Sequence, residues 1–132
     1  MNQTPRVLLV DDHKGIREGM SALLRACDFE IVSEVTNGKA ALAEAVRLEP
    51  DVVVMDITMP GLSGLNALPG MRARLPFSAI IIVTGHHSTA YRDEALRAGA
   101  DAFVLKWRAA SELVPAIHDA LAARKVRARN QV

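Results

Sequence analysis

The sequence predicts an α/β protein with a doubly wound, five-stranded parallel sheet and helices on both faces. Short apolar runs recur along the chain, and segments whose apolar residues follow helical spacing separate them. The runs are apolar throughout rather than alternating, which indicates strands buried on both faces, as in a parallel sheet. Right-handed crossovers allow such an order to pack closely only when helices cover both faces of the sheet.

Strand and helix signals alternate from end to end. The strands are predicted over residues 6–11, 30–36, 51–55, 80–83 and 102–105. The helices are predicted over residues 13–27, from 38 to about 48, after 64, over 88–98 and over 110–123. The second strand alternates, with Ile31, Ser33 and Val35 on one face, which is typical of a half-exposed edge. The predicted strand order is therefore 2-1-3-4-5.

One domain is expected for a chain of 132 residues. We place it at residues 1–123, followed by a basic tail, 124–132, that lacks apolar periodicity and is either a frayed end or the start of a linker. Pro69 and Gly70 fall where the third helix should be established. We therefore expect that helix to start late, to kink, or to begin with a loose first turn.

The composition narrows the class of protein. The chain is 50% hydrophobic but only 4% aromatic, which predicts a core of aliphatic side chains. The formal net charge of +1 gives no whole-protein attraction to nucleic acid or membrane. A single cysteine, Cys27, excludes an internal disulfide framework, and no signal-peptide core or transmembrane run precedes the first strand. We therefore expect a cytoplasmic protein.

Polar residues of particular kinds follow four of the predicted strands. Asp11 ends the first strand and Asp12 follows it, while Asp56 follows the third strand, Thr84 the fourth and Lys106 the fifth. Because parallel strands share a direction, these residues should meet in a crevice at one edge of the sheet. A single aspartate at a strand end often only caps the next helix. Three carboxylates with a lysine indicate a functional acidic site instead.

These strand-end residues resemble the receiver domain of bacterial two-component response regulators. The matching segments are residues 10–13, 55–61, 83–85, 98–103 and 105–106, in the family's order and each at a strand end. Residues 17–20 and 56–61 are most similar to the NarL/FixJ subfamily, whose receivers usually precede a helix-turn-helix domain. The resemblance covers almost the whole chain and implies a flavodoxin-like (βα)5 fold.

The resemblance implies phosphoryl transfer to Asp56 from a histidine kinase or a phosphotransfer protein. Three close carboxylates repel one another, and a hard divalent cation with oxygen ligands relieves that repulsion, so Mg²⁺ is the expected cofactor. Asp12, Asp56 and the backbone carbonyl of Thr58 would bind Mg²⁺ directly, and Asp11 mainly through a bound water.

The resemblance also assigns roles to the other strand-end residues. Lys106 would supply a second positive charge, and the Thr84 hydroxyl would donate to a phosphoryl oxygen. Phe103 would rotate into the space that Thr84 vacates, which shifts an equilibrium between two packings of the face formed by the fourth helix, fifth strand and fifth helix. Trp107 follows Lys106 where many receivers have proline. We expect a trans peptide there, because a non-proline cis bond costs about 2.5–4 kcal/mol.

Two other functions stay open at this point. One is an Mg²⁺-dependent aspartyl phosphohydrolase, although such enzymes usually have a second acid where Thr58 stands. The other is an interaction module that is no longer phosphorylated. As a receiver the chain would not be an enzyme beyond its own phosphorylation and dephosphorylation. It would be a stand-alone receiver, a relay component or the receiver fragment of a transcriptional regulator. Homodimerisation is possible, DNA would be bound only by an effector domain, and no membrane partner is expected.

Overall fold

In the computed structural model, which describes residues 3–59, 61–86 and 88–130, five strands alternate with five α-helices. The strands are β1 (Arg6–Val10), β2 (Glu30–Val35), β3 (Val52–Met55), β4 (Ala79–Thr84) and β5 (Ala102–Leu105). The helices are α1 (Lys14–Ala26), α2 (Gly38–Leu48), α3 (Gly64–Arg74), α4 (Thr89–Ala98) and α5 (Ala109–Asn130). A short 3₁₀ turn, Lys106–Arg108, connects β5 to α5.

All four strand pairs are parallel, and the order β2-β1-β3-β4-β5 confirms the predicted topology. Successive residues of β1, β3 and β4 point into two different cores, which is why their sequences are apolar throughout. The α1–α5 cluster includes Leu9, Leu24, Val54, Ile81, Leu113 and Ile117. The α2–α4 cluster, on the other face, includes Leu8, Ala41, Val53, Leu68, Ile80 and Ala95.

Polar side chains fix the starts of three helices. His13 Nδ1 accepts a hydrogen bond from Ile16 N–H at the start of α1, 3.3 Å away. Asn37 and Ser63 accept in the same way at the starts of α2 and α3. Each cap satisfies a backbone donor that has no partner within its helix. None of the helices in the described part of the chain combines the length and apolar character needed to cross a bilayer.

A β-bulge changes the predicted facing of β2. Two consecutive β1 residues pair with Ile31 and Ser33, which leaves Val32 as an extra residue on β2. Ile31 packs on the α1–α5 cluster, whereas Val35 packs on the α2–α4 cluster and Ser33 Oγ donates to Glu44 of α2 at 2.6 Å. The prediction that Ile31, Ser33 and Val35 share one face is therefore wrong, because a bulge shifts the alternation by one residue.

The third helix does not start late. It begins at Gly64, directly after its Ser63 cap, and continues through Pro69 to Arg74. Proline removes one helical donor, which normally weakens the helix. Here Leu68 and Met71 are fully buried on the same helix. Tertiary packing of this face compensates for the missing hydrogen bond.

The last helix is longer than predicted and runs through Asn130 rather than ending at Ala123. Its inward stripe continues past Ala120 with Arg124 and Ala128, both partly buried. Arg124 Nε donates to the Asp101 carboxylate at 2.7 Å. An arginine at an inward position interrupts the apolar pattern without interrupting the helix. The division at residue 123 between domain and tail stays a prediction, and residues 131–132 of that tail lie outside the described residues.

Candidate functional site

Strand register brings Asp11 and Asp56 side by side. Val10 of β1 is paired with Met55 of β3, so the next residue on each strand is an aspartate. The pairing extends one step further, because the Asp56 N–H donates to the Val10 carbonyl at 3.0 Å. Both aspartates are buried, with relative exposures of 0% for Asp11 and 3% for Asp56. The neighbouring strands β1 and β3 therefore place two buried carboxylates side by side.

Asp12 and Lys106 complete the group. Asp11, Asp12 and Asp56 each offer a carboxylate oxygen within 4.8 Å of the others. Lys106 Nζ lies 2.9 Å from Asp56 Oδ2 and 3.2 Å from Asp11 Oδ2. The lysine thus bridges the phosphoacceptor candidate and the first aspartate. The structure brings together all four charged residues that the strand ends predicted.

The carboxylates have more acceptor capacity than the protein fills. Asp56 Oδ1 accepts from Thr58 N–H at 3.1 Å, and Asp11 Oδ1 accepts from His13 N–H at 2.8 Å. Asp11 Oδ2 is buried and has no hydrogen bond of good geometry within the described part of the chain, although the Lys106 ammonium lies 3.2 Å away. An under-satisfied oxygen among three carboxylates fits a divalent cation with oxygen ligands. The residues present therefore suit Mg²⁺.

The ammonium group of Lys106 is held in its charged form. Burial alone would lower the pKa of Lys106, but the hydrogen bond to Asp56 and the charges of Asp56 and Asp11 outweigh burial and raise it. The stabilisation from this pairing is fully present below the ordinary lysine pKa of 10.5 and is lost only as pH rises through the raised value. Lys106 is therefore a fixed positive charge at neutral pH.

The start of α3 packs closely against the site. A Cβ atom on Gly64 would overlap the backbone carbonyl of Asp56. Only glycine allows the start of α3 to return this near to the phosphoacceptor candidate. Thr58 is exposed and contributes its N–H to Asp56, while the role of its carbonyl as a metal ligand stays a prediction. Pro60 of the matching segment lies outside the described residues.

Thr84 is buried at the carboxyl end of β4, where it is paired with Leu105, the residue before Lys106. Its Oγ1 accepts from His86 N–H at 3.3 Å. A hydroxyl that accepts one hydrogen bond still has its own proton to donate. The arrangement is compatible with the predicted donation to a phosphoryl oxygen.

Phe103 is half-buried against the α2–α4 cluster. It also borders a cavity of about 230 Å³ that Leu105 and residues of α4 and α5 line. Thr84 does not line this cavity, so the predicted rotation of Phe103 into the space that Thr84 vacates stays a prediction. The peptide bond between Lys106 and Trp107 is trans, as expected, because no described peptide bond is cis.

Sequence reasoning missed two residues behind the site. Arg17 Nη1 donates to the backbone carbonyl of Asp11 at 2.8 Å, and Arg17 Nε lies 3.4 Å from Glu34 Oε1. Arg17 belongs to the segment 17–20 that carried the subfamily resemblance, but spacing alone did not indicate what it contacts. The available signal in the sequence was an arginine five residues after the acidic pair.

A five-stranded parallel sheet with a carboxylate trio and a lysine at its carboxyl edge defines a receiver-type signalling domain. The chain belongs to the response regulator receiver domain family, whose model matches residues 7–118. It is 35% identical over 129 residues to the nitrate/nitrite response regulator protein NarL of Escherichia coli K12, an alignment that covers 95% of this chain and 59% of NarL.

A second relative aligns with this chain over a similar length. The response regulator protein VraR of Staphylococcus aureus is 35% identical over 115 residues, covering 86% of this chain and 55% of VraR. The chain therefore spans a little more than half the length of these relatives. They confirm the predicted likeness to NarL-type regulators.

Solved structures agree with the fold. A LuxR-family two-component response regulator from Aurantimonas sp. SI85-9A1 has a TM-score of 0.86 and 37% identity, covering 92% of this chain and 88% of that one. A CheY-like receiver domain protein from Methanospirillum hungatei JF-1 has a TM-score of 0.87 and 25% identity, with coverages of 95% and 99%. The receiver fold is thus shared across the described chain.

Proposed function

We propose that this receiver is a phosphorylation-dependent switch whose phosphoacceptor is Asp56. A histidine kinase or a phosphotransfer protein would present a phosphohistidine at the carboxyl edge of the sheet. The phosphorus–nitrogen bond would break, its electron pair would return to the imidazole, and an Asp56 carboxylate oxygen would form the new bond to phosphorus. The observation that carries this proposal is the Lys106 ammonium bridging Asp56 and Asp11.

Lys106 has a defined task in that transfer. Phosphoryl transfer needs alignment and neutralisation of charge more than covalent chemistry from the protein. The ammonium 2.9 Å from Asp56 Oδ2 can follow the charge as it moves onto the phosphoryl oxygens. The Thr84 hydroxyl would donate to one of those oxygens.

Asp11, Asp12 and Asp56, with the Thr58 carbonyl, would hold Mg²⁺. When bound, Mg²⁺ supplies positive charge that offsets the repulsion among these carboxylates and the phosphoryl group. Support comes from the 4.8 Å grouping of carboxylate oxygens and from the under-satisfied Asp11 Oδ2.

The output would be a repacked α4–β5–α5 face. Inward movement of Thr84 would vacate space into which the half-buried Phe103 ring would rotate. Phosphorylation would then shift a pre-existing equilibrium between two packings, with a coupling of about 1–3 kcal/mol. Partners that read this face would respond to the phosphorylated state.

The relatives suggest the setting of this switch. One solved relative is a DNA-binding response regulator of the LuxR family from Staphylococcus aureus, 33% identical. We extend the proposal to a cytoplasmic receiver that would contact DNA only through an effector domain outside this chain. A stand-alone receiver and a homodimer are compatible forms. The domain would act on no substrate other than its own Asp56.

Intact-mass measurement tests this function. The protein is incubated with acetyl phosphate and Mg²⁺, and one added phosphoryl group is expected. Asp56→Asn should stay unmodified, whereas Asp119→Asn, which changes an exposed aspartate on α5, should be modified like the wild type. An unmodified wild type would contradict the proposal. Turnover of an aryl phosphate far above that of Asp56→Ala would favour the phosphohydrolase instead.

A further inference from the structure

Arg17 connects the acidic site to the edge strand. Its side chain is only 18% exposed, although arginine is usually solvated. One nitrogen donates to the Asp11 carbonyl at 2.8 Å, and another lies 3.4 Å from the Glu34 carboxylate on β2. The planar guanidinium can hold both acceptors at once, which the single ammonium of lysine cannot do in the same geometry.

The bulge in β2 is what gives Arg17 this partner. The extra residue at Val32 moves Glu34 to the side of the sheet that carries α1 and Ile31. With unbroken alternation after Ile31, Glu34 would face α2. Bulges commonly re-aim a side chain next to a functional site. Here the re-aimed side chain is the carboxylate that holds Arg17.

We propose that Arg17 and Glu34 form a positioning pair that sets the geometry of the carboxylates binding Mg²⁺. The Asp11 carbonyl belongs to the peptide that joins Asp11 to Asp12. Fixing the orientation of that peptide fixes the direction in which the exposed Asp12 side chain leaves the chain. The proposal rests on the proposed function, since it assigns Mg²⁺ to these carboxylates.

If Arg17 acted only through its charge, its removal would change the affinity for a divalent cation in the opposite direction from that expected of a positioning residue. Removing the Arg17 charge makes the surroundings of the site more negative, which by electrostatics alone would tighten binding of a divalent cation. Removing its hydrogen bond to Asp11 loosens the ligands, which would weaken binding. Residues that orient metal ligands commonly contribute a factor of ten or more to affinity.

The experiment is an NMR titration of ¹⁵N-labelled protein with MgCl₂ at constant ionic strength. We expect Arg17→Gln to raise the Mg²⁺ Kd about tenfold. The control is Arg25→Gln, which removes another cation of α1. Arg25 also approaches Glu34, at 4.0 Å, but its Nε donates to Ser21. Its Kd should equal that of the wild type. An unchanged or lower Kd for Arg17→Gln would overturn the proposal.

Arg17→Lys is a second variant that tests the proposal if Arg17→Gln does not fold. It keeps the charge but loses the two-sided contact, so its Kd should also rise, though less than that of Arg17→Gln. A wild-type Kd for Arg17→Lys would overturn the proposal. For both variants the phosphorylation rate with acetyl phosphate should recover at saturating Mg²⁺, and a lowered plateau rate would contradict a role limited to ligand positioning.

Mg²⁺ binding and phosphorylation of the wild type, measured separately, distinguish a failure of this proposal from a failure of the proposed function. A wild type that binds Mg²⁺ but accepts no phosphoryl group would contradict the function and leave the Arg17 comparison valid. A wild type that binds no Mg²⁺ would overturn both.

Discussion

The two edges of the sheet hold charge clusters of opposite character. At the amino edge, Asp101 is surrounded by donors. Its Oδ2 accepts from Arg72 Nη2 and Ile80 N–H, each at 2.8 Å, and its Oδ1 accepts from Nε and Nη2 of Arg124. Burial lowers the pKa of Arg72, which indicates a cation taken partly out of water. One carboxylate is shared by two guanidinium groups.

At the carboxyl edge, carboxylates outnumber the cations that contact them. Asp11 and Asp56 share the ammonium of Lys106, and Asp12 brings a third carboxylate oxygen within 4.8 Å of theirs. Asp11 Oδ2 lacks an aligned donor in the described part of the chain. The Asp101 cluster, in which each carboxylate oxygen has donors, connects α3, the start of β5 and α5. A cluster with excess negative charge instead costs stability until a cation binds. The contrast separates a structural cluster from a site.

The largest expected effect comes from breaking the amino-edge cluster. Asp101→Ala would leave two partly buried guanidinium groups without their carboxylate, and we expect the free energy of unfolding to fall by about 3 kcal/mol. Urea denaturation followed by circular dichroism measures this. Asp119→Ala, at an exposed position on α5, is the matched control and should be nearly neutral. Stability equal to the wild type would show that the Asp101 cluster contributes nothing net.

The sequence was sufficient for the strand order and for the four charged residues at the strand ends, because both depend on short signals that each strand carries by itself. The apolar runs end where the strands end, and parallel register then places Asp11 beside Asp56. The amino-edge cluster could not be predicted in this way. Asp101 lies 29 residues from Arg72 and 23 from Arg124, and no local pattern links them.

Two other features depended on tertiary structure. The bulge at Val32 is invisible in the alternation of β2, since the bulged strand keeps a strand-like composition. In α5, the inward-facing Arg124 donates to the Asp101 carboxylate. The sequence does not show this partner, so the arginine indicated the end of the amphipathic pattern. In both places a contact between distant segments overrode the local signal.

A smaller effect of opposite sign is expected at the carboxyl edge. In metal-free buffer, Asp12→Ala removes one of three repelling carboxylates, so the melting temperature should rise by about 1–3 °C. Differential scanning calorimetry in EDTA measures this change. With saturating Mg²⁺ the order should reverse, because the variant loses a ligand and therefore the stabilisation from binding. A lower melting temperature in EDTA would mean that Asp12 stabilises the fold directly.

A surface carboxylate should show the smallest effect. Hydrogen bonds from Arg47 and Ser33 lower the pKa of Glu44 from 4.5 to about 2. A lowered pKa contributes stability above pH 4.5 that is lost as pH falls toward 2. The difference in melting temperature between wild type and Glu44→Gln should therefore shrink over that range. High salt should also reduce it, since the pair is near the surface. A difference independent of pH would contradict this assignment.

Binding of a divalent cation at the carboxyl-edge cluster, and not at the amino-edge cluster, underlies the proposed switch. Substoichiometric Mn²⁺ added to ¹⁵N-labelled protein tests it directly, because a bound paramagnetic ion broadens nearby amide signals. We predict broadening around Asp11, Asp12, Asp56 and Lys106, reversal by excess Mg²⁺, and sharp signals around Asp101. Broadening centred on Asp101, or none at the three carboxylates, would contradict cation binding at the carboxyl-edge cluster.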